Sequence, residues 1–184
     1  FIISFYLSIT EKGIENFLRI IMPASHEEYV IDLWQRTERK IGLWMQGQLL
    51  LSLFVSLLVY VPSLLLGIPY AALLAVLAFV GELIPMVGLT LAMIPALFLA
   101  FTHGGTDLLI LTGAIYFIIS QIESHILYPK IMSKMVGVPS VVVIIAIVIG
   151  AKIAGIWGVI LAVPLAAIFM ELAADLEKKK LKDE

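Results

Sequence analysis

The residues able to do chemistry stand out here because so few of them carry charge. Between positions 41 and 170 only six Asp, Glu, Lys or Arg occur: Glu82, Asp107, Glu123, Lys130, Lys134 and Lys152. Two of these sit at breaks in apolar segments. Glu82 follows Gly81 and precedes Pro85 and Gly88; Lys152 precedes Gly155 and Gly158, with Pro164 beyond. Gly and Pro unwind a helix and leave peptide groups without partners, which at membrane depth is tolerated only inside protein or beside a wet cavity. A carboxylate at such a break is a candidate for binding a polar solute or a proton, because a charge there is too costly to be incidental. The same two residues also suit a structural ion pair between Glu82 and Lys152. Both roles are compatible if the pair opens during transport.

A second polar set lies on helices. Gln121 and His125 are at i and i+4 and share a face, whereas Glu123 points away from them. If Gln121 and His125 face a cavity, Glu123 anchors a contact with another helix or with a second subunit of a homo-oligomer. Gln46 and Gln48, with Ser52 and Ser56, offer a milder lining, for which hydrogen bonding between helices is the default reading. Enzyme chemistry finds no footing. The three histidines His26, His103 and His125 have no partner in a metal-ligand pattern, and no phosphate-binding loop or nucleophile elbow occurs. With no Cys, disulfides and thiol chemistry are excluded. No cofactor is expected.

The elements that must hold these groups are membrane elements. The 184 residues are 61% hydrophobic and 14% charged, with mean hydropathy +1.07, and six charges cannot cover a water-facing surface of 130 residues. A soluble enzyme, a nucleic-acid binder and a disordered chain are all excluded. Residues 1–9 form an apolar run without the shape of a signal peptide and read as the end of a membrane helix cut off upstream. Residues 10–40 are interfacial. Thr10 caps a short amphipathic helix with Ile14, Phe17, Leu18 and Ile21 on one face, and Ser25 starts a second helix. Residues 41–176 are the membrane region and 177–184 a basic tail.

Positions 41–66 carry no charge and are long enough to span a bilayer, as are 108–128. The apolar segments 68–80 and 138–149 are too short to span simply. Each begins at a Gly-apolar-Pro triplet, meets one charge (Glu82 or Lys152) and is followed by a second apolar arm, 83–101 or 153–174. An offset of 70 positions superimposes Gly67 on Gly137, Pro69 on Pro139, Glu82 on Lys152 and Gly88 on Gly158. The expected fold is all-α and polytopic, with two inverted repeats (about 41–102 and 108–174), each a long transmembrane helix plus a Gly/Pro-broken, re-entrant hairpin. Arg36, Arg39 and Lys40, then Lys130 and Lys134, then Lys178–Lys182 put those ends in the cytoplasm, against lipid headgroups. Segments 61–68 and 102–107, without Lys or Arg, are expected outside.

Several motifs in order carry a likeness. Gln121-Ile122-Glu123, Leu127-Tyr128-Pro129-Lys130-Ile131-Met132 and Val136-Gly137-Val138-Pro139 resemble the signature of the autoinducer-2 exporter-like (AI-2E) transporter family. So do Gly47-Gln48-Leu49-Leu50, Gly67-Ile68-Pro69-Tyr70, Ile84-Pro85-Met86-Val87-Gly88, Gly155-Ile156-Trp157-Gly158 and Ala162-Val163-Pro164-Leu165-Ala166. The likeness covers essentially the whole chain and corresponds to the C-terminal half of a typical member. Met86, Leu89 and Ser124-His125 depart from the usual pattern and bear on substrate identity. The resemblance implies export of a small polar signal such as autoinducer-2 from a prokaryotic cell membrane. Some similar proteins look like Na+(Li+)/H+ antiporters, for which Glu82 would be the titratable group. A neutral solute would instead need Gln46, Ser52, Gln121 and His125. A membrane scaffold docking through residues 10–40 is the reading from a different class.

Overall fold

The computed structural model describes residues 12–24, 26–84, 87–135 and 140–180. Every regular element among them is helical: α1 (Gly13–Ile21), α2 (Glu27–Leu65), α3 (Ala71–Gly81), α4 (Gly88–Ile122), a π-helical turn (Glu123–Leu127), α5 (Tyr128–Met135) and α6 (Ser140–Lys180). The expected run 1–9, Thr10, Ser25, Pro85, Met86 and the triplet Gly137-Val138-Pro139 lie outside the described residues.

Helix α2 organises the rest. Nothing between Glu27 and Leu65 breaks it, since its one proline, Pro62, falls in the last turn. The interfacial helix and the first span expected separately are therefore one helix of 39 residues, about 58 Å long. Its first turns are charged, and the rest is long and apolar enough to cross a membrane. Every other helix packs against it. At its far end Gly67 (φ 68) and Tyr70 (φ 61) turn the chain back through Pro69, and α3 returns alongside α2.

Two helices double on themselves. Leu97 and Gly113 of α4 would stand about 24 Å apart on a straight helix, yet a Cβ on Gly113 would lie 3.6 Å from Leu97 Cδ2. The reversal occurs at Gly104 (φ −133, ψ 15) and Gly105 (φ 66, ψ −155). Ala154 (φ −134, ψ 17) and Gly155 (φ 57, ψ −134) repeat nearly the same turn in α6. There the backbones of Gly150 and Gly158 approach so closely that a Cβ on either would collide with the other. The second residue of each turn occupies a backbone region that is essentially reserved for glycine.

The core is built from Leu51, Val55 and Val59 of α2, Leu74 and Ala78 of α3, and Ala92, Ala96 and Ala100 of α4, with Tyr116 and Ile119 from the returning arm. The alanines recur every fourth residue, which lets helix backbones approach closely. Large apolar side chains such as Leu57, Leu73, Phe98 and Phe117 point outward, a surface suited to lipid rather than water. Among the described residues three helical stretches are long and apolar enough to span, by length and composition: those within α2, Gly88–Met132 (which includes the reversal at Gly104–Gly105) and Trp157–Asp175. Ala71–Gly81 and Val141–Gly155 are the shorter apolar helices. The molecule is a polytopic, all-helical membrane protein.

Candidate functional site

The break after α3 is where polar groups converge. Helix α3 ends at Gly81, the Glu82 amide still donates to Ala78 O (2.9 Å), and two further turns bring Ile84 N to Gly81 O (3.0 Å). Helix α4 then starts at Gly88 directly against this turn. A Cβ on Gly81 would lie 2.8 Å from the Gly88 Cα, and a Cβ on Gly88 would run into the backbone and carboxylate of Glu82. The two glycines thus let one strand of backbone cross the other and hold the Glu82 carboxylate beside the first turn of α4. The partial positive charge of a helix N-terminus favours an anion in that place.

Three other elements close around it. Gln48 of α2 donates its Nε2 to the Glu82 carbonyl oxygen, and Ser52 Oγ donates to Gln48 O at 2.8 Å. Glu123, at the head of the π-helical turn, and Tyr128, just after it, face the same carboxylate. Such a turn widens the helix by one residue and is frequent at functional sites. Glu82 and Gln48 are both 0% exposed, and Glu123 is 8% exposed. The Leu89 amide and the Glu123 carboxyl are polar neighbours of Glu82. Neither comes into full hydrogen-bonding geometry, and among the described residues both Glu82 carboxylate oxygens and Gln48 Oε1 are buried without a partner at that geometry. Unpaired buried acceptors of this kind cost free energy unless something else supplies a donor or a positive charge.

The other sequence candidates are placed as follows. Ser52 is buried beside Gln48. Gln46 is exposed, on the opposite side of α2. Gln121 and His125 do share a face, with His125 Nδ1 3.2 Å from Gln121 O, but that face is exposed and it is Glu123 that turns inward. Lys152 is exposed beside the turn of α6 and makes no ion pair with Glu82, whose carboxylate is unpartnered. Gly155 makes the α6 turn, Gly158 packs on Gly150, and Pro164 lies within the returning arm. Gln48, by sequence a mild helix lining, and Glu123, by sequence a helix or subunit contact, both meet Glu82. The signal was there in the row Trp44, Gln48, Leu51/Ser52, Val55/Ser56 and Val59, which is the buried stripe of α2. Farther along the same helix, Ser63 meets Tyr116 of α4, and with Thr112 they form a second buried polar group.

Comparison with known proteins identifies the family. Residues 1–178 match the profile of a family described as "AI-2E family transporter". A Thermotoga maritima protein named as a candidate transport protein is 30% identical over 164 residues, covering 89% of this chain and 49% of its own length. YueF of Bacillus subtilis, named in the same way, is 28% identical over 148 residues, 80% of this chain and 40% of its own. YhhT of Escherichia coli, again so named, is 27% identical over 133 residues, 72% and 38% respectively. The chain thus spans less than half the length of these relatives. No solved structure is significantly similar.

Proposed function

The chain belongs to the AI-2E family of transporters, and from that premise we propose that it carries the solute site of a secondary transporter. In this reading a small polar molecule such as autoinducer-2 is exported by alternating access around the Glu82 break. The observation that carries it is the fully buried, unpartnered Glu82 carboxylate at a helix break, the kind of place where transporters of broken-helix type hold their cargo. Gln48, Ser52, Ser56 and Ser63 add a buried polar row along α2 toward Thr112 and Tyr116, a route for a hydroxyl-bearing solute.

Two inverted repeats with re-entrant hairpins would supply the moving parts. The close approach of Gly81 to Gly88 and of Gly150 to Gly158 supports that reading, because the offset of 70 that superimposes Glu82 on Lys152 brings these glycine pairs together to within one residue. The distribution of Lys and Arg supports a cytoplasmic location for the start of α2 and the end of α6.

Coupling to Na+ or H+ is a second reading, favoured by one specific feature. Glu123 stands beside Glu82, and among the described residues no Lys or Arg pairs with Glu82. Two carboxyl groups packed together in an apolar interior require a compensating positive charge, and either a proton or an alkali ion would supply it. The full-length protein in proteoliposomes distinguishes these readings: autoinducer-2 flux supports export, Na+ or Li+ exchange for H+ supports antiport. Wild type that moves none of them would leave a membrane scaffold as the better account.

A further inference from the structure

Away from the Glu82 break, five side chains form one ion cluster where the charged turns of α2 meet the last turns of α6. Asp32, Arg36 and Lys40 follow one another at successive turns of α2, and Glu171 and Asp175 do the same on α6. Arg36 grips Asp175 with both terminal nitrogens (2.7 and 3.1 Å), reaches Glu171 Oε2 at 2.9 Å and Asp32 at 2.9 Å. Lys40 takes the other Glu171 oxygen. The Glu171 side chain is only 8% exposed, so this is no solvated surface pair. Asp175's hydrogen bond holds the Arg36 guanidinium above its usual pKa, against the opposing effect of burial, so the cluster does not release by losing that charge. Satisfaction is nonetheless incomplete, since among the described residues Arg36 Nε and Thr37 Oγ1 are buried without partners.

The position of the cluster gives it a role. Gln48, and with it Glu82, lies eight residues beyond Lys40, about 12 Å along α2. From Glu171 back toward its turn, the buried face of α6 is Ala167, Ala166, Val163 and Ala162, small side chains that interlock little with a neighbour. We propose that the Arg36–Glu171–Asp175 cluster, with Lys40 and Asp32, is a gate that closes the path to Glu82 from the Lys/Arg-rich end of the molecule and opens when α6 parts from α2. A half-buried ion cluster of this kind is suited to this, because the sheltered Glu171 and Asp175 regain hydration on separation while Arg36, Lys40 and Asp32 already meet solvent, so the closed and open forms differ by little. The inference rests on the transport reading.

The test is accessibility rather than flux. In a cysteine-free version of the full-length protein carrying Ser52→Cys, a membrane-impermeant maleimide is applied from each side of sealed vesicles. Labelling rate reports the open population, so Arg36→Gln should raise it at least about tenfold from the Lys/Arg-rich side only. The exchanged pair Arg36→Asp with Asp175→Arg should return it toward the starting rate, and Lys40→Gln should raise it less than Arg36→Gln does. Unchanged labelling in Arg36→Gln overturns the gate, and so does equal acceleration from both sides, which means general loosening. Failure of the exchanged pair to slow labelling overturns it as well. One-sided labelling in a protein that moves no solute would leave the gate standing and sink only the transport reading.

Discussion

Gln46 and Gln48 are two residues apart on α2 and end on opposite sides of it, because each residue turns a helix by about 100°. Gln48 is buried and its amide holds the carbonyl of Glu82, whereas Gln46 is exposed. Gln48→Ala strands a buried carbonyl, which costs about 1–3 kcal/mol. It should lower the melting temperature of the purified protein and reduce transport about tenfold, while Gln46→Ala stays within about twofold of wild type. Equal effects would contradict this placement. The sequence marked Glu82 as a charge between Gly81, Pro85 and Gly88, and the ion pair with Lys152 that it equally allowed does not form, since Lys152 is exposed and the Glu82 carboxylate is buried. Gln48 is legible as a helix lining and Glu123 as a helix or subunit contact, but that both meet Glu82 was not legible. Spacing says that Gln121 and His125 share a face and that Glu123 opposes them, but which face is buried depends on what packs there, and that information sits on α2, α3 and α4.

At the scale of elements, the two reversals use the same backbone solution. Gly105 and Gly155 have φ of 66° and 57° with ψ near the extended limit, where any Cβ is strained by about 1–3 kcal/mol. Gly105→Ala and Gly155→Ala should each lower thermal stability in detergent by that order, and Gly42→Ala, with open space around its α-carbon, should not. The break near Gly155 could be read from its glycines, as could the α3–α4 break from the Gly/Pro cluster. The reversal at Gly104–Gly105 was foreseen only as an outer loop around His103, because a helix that doubles within two residues has no length signature. The fusion of the interfacial helix with the first span into α2 was missed for a related reason: charge patterning marks where a chain meets water, whereas a helix continues until a backbone breaker stops it. Nothing between Glu38 and Ile41 is such a breaker.

For the whole molecule, composition alone gave the class, since a chain with six charges in 130 residues has only lipid to face. The two short apolar segments were legible too; among the described residues they are the helices Ala71–Gly81 and Val141–Gly155, while three stretches are long and apolar enough to span where the sequence singled out two. What composition could not provide is the convergence of α2, the α3–α4 break and the π-helical turn on one buried carboxylate, which is a product of packing. In the proposed function that convergence makes Glu82 the group around which solute or coupling ion would pass. The most direct measurement is transport by the full-length protein in proteoliposomes carrying Glu82→Gln, beside wild type and the exposed-face control Gln121→Ala. Glutamine keeps the shape of the side chain and removes its charge, so the fold should persist. A loss of about tenfold or more is expected in Glu82→Gln alone; a wild-type rate in that variant would overturn the role proposed for Glu82.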